Sequence, residues 1–219
     1  RVSFGDGKLI AEMLDDPGAE LRHVRFHCEG SFDNLLAQFG STPLPPYIKR
    51  PSGTSSTDRE RYQTIYSKHR GAIAAPTAGL HFTPEVLAEV TTIASLAEIT
   101  LHVGYGTFEP VRVDDVTDHS VSGEHFEISD SAAQTINAAR VNGGRIIVVG
   151  TTTMRALESA ARDNGTVEPG SGVATLTIKP GYQFQIADAL LTNFHLPRSS
   201  LLILVSAFAG REFILRAYR

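Results

Sequence analysis

Three histidines lie in segments whose composition suits chemistry. They are His81 in Ala75-Pro76-Thr77-Ala78-Gly79-Leu80-His81-Phe82, His102 in His102-Val103-Gly104-Tyr105-Gly106-Thr107-Phe108, and His195 in Thr192-Asn193-Phe194-His195-Leu196-Pro197. An imidazole titrates near neutral pH, so each can serve as a general acid or base. Each stands where a predicted element meets a glycine- or proline-bearing loop, and catalytic groups concentrate on such loops. The alternative for each is a structural histidine satisfied by nearby backbone. In an α/β domain such junctions gather along one edge of the sheet. At least two of the three imidazoles are therefore expected to face one pocket, together with the helix start at 151–155.

That helix start, Gly150-Thr151-Thr152-Thr153-Met154-Arg155, follows a predicted strand. Free N–H groups and the positive end of the helix dipole favour a carboxylate or phosphate there. Thr151, Thr152 and Arg155 add donors; plain N-capping by threonine is the competing reading. Gly104 and Gly106, followed by Thr107, would let a ligand approach the backbone closely. The third glycine and following helix of a dinucleotide fingerprint are missing, and Gly143-Gly144 precede their strand instead of following it. There is no His-Glu-x-x-His, no His-x-His and no Gly-x-Ser-x-Gly, and Cys28 is the only cysteine. No metal site and no serine nucleophile are expected.

The elements that would position these groups follow from turn and capping signals. Gly5-Asp6-Gly7 predicts a hairpin between strands at 2–4 and 8–13, Asp15-Asp16-Pro17-Gly18 a second turn, and 21–26 a third strand. Residues 31–70 read as a connection, with a short helix at 32–39 ended by Gly40 and an extended path through Pro43, Pro45 and Pro46. From residue 72 helix and strand alternate. Thr83-Pro84-Glu85 starts a helix whose apolar face is Val86, Leu87, Val90, Ile93, Ala94 and Ala97. Residues 99–103 read as a strand. Ser131 and Gln134 read as the capping box of a helix that Asn142-Gly143-Gly144 ends. Residues 145–149 read as a strand buried on both faces, 165–172 as a loop, and 173–178 as another strand. The class is α/β, with a small all-β piece at the start.

The chain has 219 residues, is 42% hydrophobic and carries a formal net charge of −4. That size supports one good core, or one core and a satellite. The apolar run at 201–209 is too short to span a membrane and reads as buried. A lone thiol and the lack of a signal peptide point to a reducing, cytoplasmic setting. The chain does not begin with Met, so it is expected to be part of a longer protein. Its acidity argues against a nucleic-acid coat, yet Lys49, Arg50, Arg59, Arg61, Lys68 and Arg70 cluster with Tyr47, Tyr62 and Tyr66 interleaved. This stretch is either a solvated surface or an RNA contact. An RNA-binding module without catalysis would explain it, but not the histidine loops.

Taken in order, several blocks resemble those of the S-adenosylmethionine:tRNA ribosyltransferase-isomerase family. They are Pro43-Leu44-Pro45-Pro46-Tyr47-Ile48, Arg61-Tyr62-Gln63-Thr64-Ile65-Tyr66, residues 75–83 and 101–110, Gly150 to Arg155, Lys179-Pro180-Gly181-Tyr182, residues 192–197 and Ala207-Phe208-Ala209-Gly210. The resemblance implies a large α/β domain (residues 41–219) with an inserted β-barrel, of which residues 1–40 would be the end. It implies queuosine biosynthesis: the ribosyl group of S-adenosylmethionine is transferred to preQ1-modified tRNA and isomerised. S-adenosylmethionine is then a substrate and no cofactor is needed; a monomer without an obligate protein partner or membrane association is expected. By this likeness His81, His102 and His195 would be acid and base. Thr151, Thr152 and Arg155 would hold an anion, and Gly104, Gly106 and Thr107 would admit the adenosyl group. Thr77, Gly79 and Asn193 would line the substrate site, and Tyr47, Arg61 and Tyr62 would meet the tRNA. One segment departs from the pattern. Where the family has His-x-Met-His-x-Glu, this chain has His119-Ser120-Val121-Ser122-Gly123-Glu124, which admits a paralogue of altered activity.

Overall fold

The computed structural model describes residues 1–15, 22–45, 47–51, 53, 55–104, 106 and 110–219. Most of the turn predicted at 15–18, the first residue of the strand predicted at 21–26, and Thr107 lie outside the described residues. Two compact units divide the chain: Arg1–Thr42 with Arg50–Ser55, and Pro43–Lys49 with Ser56–Arg219.

In the first unit β1 (Val2–Phe4), β2 (Leu9–Met13) and β3 (Val24–Cys28) form an antiparallel sheet in that order. Its first turn uses positive φ at Gly5, Asp6 and Gly7, as the residue types allow. Gly5 is also required by packing, because a Cβ there would stand 2.0 Å from Cζ of Phe39. That ring belongs to α1 (Phe32–Phe39), where the Ser31 hydroxyl accepts the Asn34 N–H and the Gly40 N–H closes on Leu36 O at 2.8 Å.

The second unit is mixed α/β. Its helices are α2 (Ser56–Arg61), α3 (Pro84–Ile93), α4 (Asp130–Val141), α5 (Thr151–Ser159), α6 (Ser200–Ala209) and α7 (Arg211–Ala217). Strands β4 (Thr100–His102), β5 (Glu124–Ile128) and β7 (Gly170–Ala174) make an antiparallel sheet in the order β4-β5-β7. Strands β6 (Ile147–Val149) and β8 (Ala189–Leu191) pair in parallel. The core gathers Ile128, Ile136, Val148, Met154, Leu157, Val167, Ile186 and Leu204 between these sheets and α4, α5 and α6. Among the described residues no helix is long and apolar enough to cross a membrane.

Several predicted boundaries move. Helix α4 starts two residues earlier than the expected capping box, because Ser129, in extended backbone, accepts the Ala132 N–H and Ser131 bonds to Ser129 instead. Its end is as expected: Gly143, at φ +72°, donates to Arg140 O and Gly144 to Ala139 O. Strand β7 lies at 170–174, not 173–178. The glycine-rich run 170–172 looks like a loop, yet the Phe126 ring covers Gly172, where a Cβ would meet Cζ at 2.7 Å. The ring supplies the packing that the glycine lacks. Beyond Ala174 the carbonyls turn toward an arginine described below and leave the ladder. Strand β6 is not buried on both faces, since Ile147 is 62% exposed in a sheet of two strands. The apolar face predicted for α3 also buries no residue.

Candidate functional site

The parallel pairing places the carboxyl ends of β6 and β8 side by side, and the Gly150 N–H donates to Leu191 O at 2.9 Å. Two segments leave this edge. One enters α5 through Gly150, whose φ of +93° suits glycine alone. Having no side chain, Gly150 caps nothing, and among the described residues the first-turn N–H groups of α5 have no side-chain acceptor. The other is the loop 192–197, fixed by Tyr218 just past α7. The Tyr218 hydroxyl accepts the His195 N–H at 2.8 Å, and its ring meets Phe194 edge-on at 4.8 Å.

A 3-10 turn, Thr77–His81, closes on the same edge. A Cβ on Gly150 would stand 3.9 Å from that of Ala78. Gly79 admits no side chain, since a Cβ would lie 2.0 Å from the Tyr66 hydroxyl. The Asn193 amide nitrogen lies 3.0 Å from Nε2 of His81, and Thr192 Oγ1 lies 3.3 Å from Nε2 of His195. His81, Asn193 and His195 therefore share one neighbourhood with the α5 start. Burial pushes the His195 pKa down to about 4, so this imidazole is neutral at physiological pH.

His102 ends β4 elsewhere. Its ring packs on Gly71, where a Cβ would stand 2.5 Å from Nδ1, while Ile73 N–H pairs with Val103 O. Among the described residues, the buried side-chain polar atoms without a partner are His102 Nδ1, Asn193 Oδ1 and the Tyr62 hydroxyl. All three belong to residues singled out from the sequence. An orphaned buried polar atom costs about 1–3 kcal/mol and marks a place where a ligand can supply the missing bond.

Behind the α5 start opens a cleft of about 20 Å³, lined by Gly106, His119, Ser122, Thr152, Arg155 and Ser200 among others. Its imidazole is His119, not His81, His102 or His195, none of which lines it. At this cleft the helix start is therefore not joined by two of the three expected histidines. His119 Nε2 lies 2.7 Å from Ser200 Oγ, and burial together with the Lys179 charge holds its pKa below the ordinary value. The only hint in the sequence was the His119–Glu124 segment, whose Val121 and Ser122 also line the cleft.

Arg155 was expected to offer its guanidinium to an anion. Instead Nε donates to Leu176 O, Nη1 to Glu124 Oε2 at 2.8 Å, and Nη2 to Ser122 O and Ala174 O. At 6% and 4% exposure Arg155 and Glu124 form a buried ion pair that ties β5, the end of β7 and the 119–123 segment to α5. One Nη1–H remains. Gly106 lines the cleft; a Cβ on Gly104 would meet nothing within 4 Å, so packing does not demand glycine there. No cluster of three metal-ligating side chains exists among the described residues.

In the basic stretch Tyr47 is 58% and Tyr62 9% exposed. The Tyr62 ring is therefore closed to a stacking base: it packs near the Ala75 backbone, and burial raises its hydroxyl pKa to about 12. Arg61, at the end of α2, is exposed, whereas Lys68 is engaged in an ion pair with Glu98.

Fold and site together define an α/β protein with polar loops gathered at the carboxyl ends of a parallel strand pair, beside an uncapped helix start. The chain belongs to the family described as queuosine biosynthesis protein, whose model matches residues 1–219. It is 50% identical, over all of its length, to an S-adenosylmethionine:tRNA ribosyltransferase-isomerase of Desulforamulus reducens, and covers 63% of that protein. It is 48% identical over 217 residues to the protein of that name from Natranaerobius thermophilus, covering 99% of this chain and 62% of that one. The crystal structure of an S-adenosylmethionine tRNA ribosyltransferase from Thermotoga maritima is similar with a TM-score of 0.51 at 40% identity, over 65% of this chain and 44% of that one. The chain thus spans somewhat over three fifths of the length of the curated relatives.

Proposed function

We propose that this chain carries the catalytic part of an S-adenosylmethionine:tRNA ribosyltransferase-isomerase acting in queuosine biosynthesis. The observation that supports this most is the 50% identity to a protein of that name across the entire chain. S-adenosylmethionine is the ribosyl donor and a substrate, and tRNA carrying preQ1 is the acceptor. The sulfonium acidifies the C5′ hydrogens, a base removes one, the aminomethyl group of preQ1 attacks the ribose, and adenine and methionine leave. His81, beside the Asn193 amide, and His195, beside Thr192, supply acid and base, and His102 is a third candidate. Thr151 and Thr152 present the start of α5 to an anion. Gly104, Gly106 and Thr107 border the adenosyl group, with Thr77 and Gly79 shaping the turn beside it. The three-stranded first unit is read as the end of a β-barrel domain, and the protein as a cytoplasmic monomer.

Incubation of the protein with S-adenosylmethionine and preQ1-containing tRNA should release adenine and methionine and yield epoxyqueuosine by nucleoside mass spectrometry. S-adenosylhomocysteine with methylated RNA would overturn the reading. If Arg61 touches a phosphate, Arg61→Ala should weaken tRNA binding and reduce the slope of log K against log salt by roughly one. An unchanged slope would return this surface to ordinary solvation.

A further inference from the structure

The cleft beside α5 has the features of a built anion site. Two helix starts meet there: Thr152 is the second residue of α5, and Ser200 and Leu201 are the first two of α6. Both helices are long enough to present a dipole; Gly150 offers α5 no side-chain cap, whereas at α6 Ser199 Oγ takes the Leu202 N–H and leaves those of Ser200 and Leu201. Thr152 is 8% exposed and lines the cleft, and its hydroxyl makes no hydrogen bond to any described residue. Its oxygen is open to the cleft and not sealed in the core, so it is available to a ligand acceptor. When the His119 ring donates from Nε2 to Ser200 Oγ, the Ser200 O–H is free to turn into the cleft. Ser122 supplies a further hydroxyl.

We propose that this cleft seats the carboxylate of the methionine moiety of S-adenosylmethionine, with Thr152, Ser200 and the α5 and α6 starts as its donors. The assignment rests on the reading of S-adenosylmethionine as substrate. Charge and size select the ligand. Glu124 already neutralises Arg155, so attraction comes from helix starts and hydroxyls, which suit one negative charge better than two. A volume of about 20 Å³ is enough for a group the size of a water molecule, such as a carboxylate oxygen. Neither His81 nor His195 lines this cleft, so binding at the methionine end is separate from proton transfer at the His81–Asn193 neighbourhood.

The test is equilibrium dialysis of the intact protein with radiolabelled S-adenosylmethionine and with its decarboxylated analogue. The parent should bind S-adenosylmethionine at least roughly ten-fold more tightly, the scale of a hydrogen bond to a charged group. Thr152→Val and Ser200→Ala should each remove most of that preference while leaving affinity for the analogue unchanged. L-methionine should compete better than methioninol or inorganic phosphate. Equal affinity of the parent for the two donors overturns the carboxylate assignment alone, as does an equal loss for both in Thr152→Val, or phosphate competing as well as methionine. If neither donor binds, the reading of the substrate falls and the assignment with it.

Discussion

Arg155→Met will lower the stability of the fold by about 3–5 kcal/mol, read as the shift of a urea unfolding midpoint at unchanged slope. The substitution keeps an unbranched apolar stem of similar reach but removes every donor. Glu124, 4% exposed, then loses its countercharge, and the carbonyls of Ser122, Ala174 and Leu176 lose their N–H groups. Uncompensated buried charge dominates this cost, because the ion cannot return to water without opening the sheet. Arg155→Lys will recover little, since one ammonium cannot reach three carbonyls and a carboxylate arranged around a planar fork. Adding Glu124→Gln to Arg155→Met will restore part of the loss, because the pair is coupled. A loss below about 1 kcal/mol for Arg155→Met would show that the pair is not the lock its geometry describes.

This arginine marks where sequence reasoning reaches its limit. At residue 155, one turn into a helix that follows a strand, a guanidinium reads as an anion ligand, and local spacing offers nothing against it. Its partners lie 19 to 33 residues away, on β5, on the 122 loop and beyond β7. The same holds for His119, whose partner Ser200 is 81 residues distant, and for Tyr62, whose ring is covered only when the chain returns at Ala75. Features set within a few residues were legible: the positive-φ turn at Gly5-Asp6-Gly7, the Thr83 cap before Pro84, and the Asn142-Gly143-Gly144 stop. Two neighbouring serines could each have capped α4, and only the backbone conformation of Ser129 decides between them. The β7 strand needed the Phe126 ring, which no glycine-rich run can announce. The loops at 77–81, 150–155 and 192–195 were found because each carries its own punctuation. The last two meet through the parallel pairing of β6 and β8, and the first joins them through the His81–Asn193 contact, neither of which the sequence displays.

His195→Gln will cut adenine release from S-adenosylmethionine by roughly 10²-fold or more, the scale for a lost acid or base, and will also change how stability depends on pH. The imidazole is held near a pKa of about 4 by burial, against 6.5 in the unfolded chain. Between these values the unfolded state binds more protons than the folded one. The stability contribution is therefore complete above about pH 6.5 and is lost as pH falls toward 4. Removing the titrating ring should flatten that decline; a residual slope in the same direction belongs to His119, whose pKa is also depressed, and, at the acid end, to the carboxyls of Glu12, Asp15, Glu85 and Asp115, held below the ordinary range by their hydrogen bonds. The same depression keeps His195 unprotonated, and able to accept a proton, at pH 5 to 6, where an ordinary imidazole is losing that capacity. In the parent, turnover should hold through this range until the fold itself yields. His81→Gln should lower turnover comparably. If His195→Gln flattens the stability curve yet keeps full turnover, His195 is a structural group of the 192–197 loop, and the proton transfer belongs to His81 or His102.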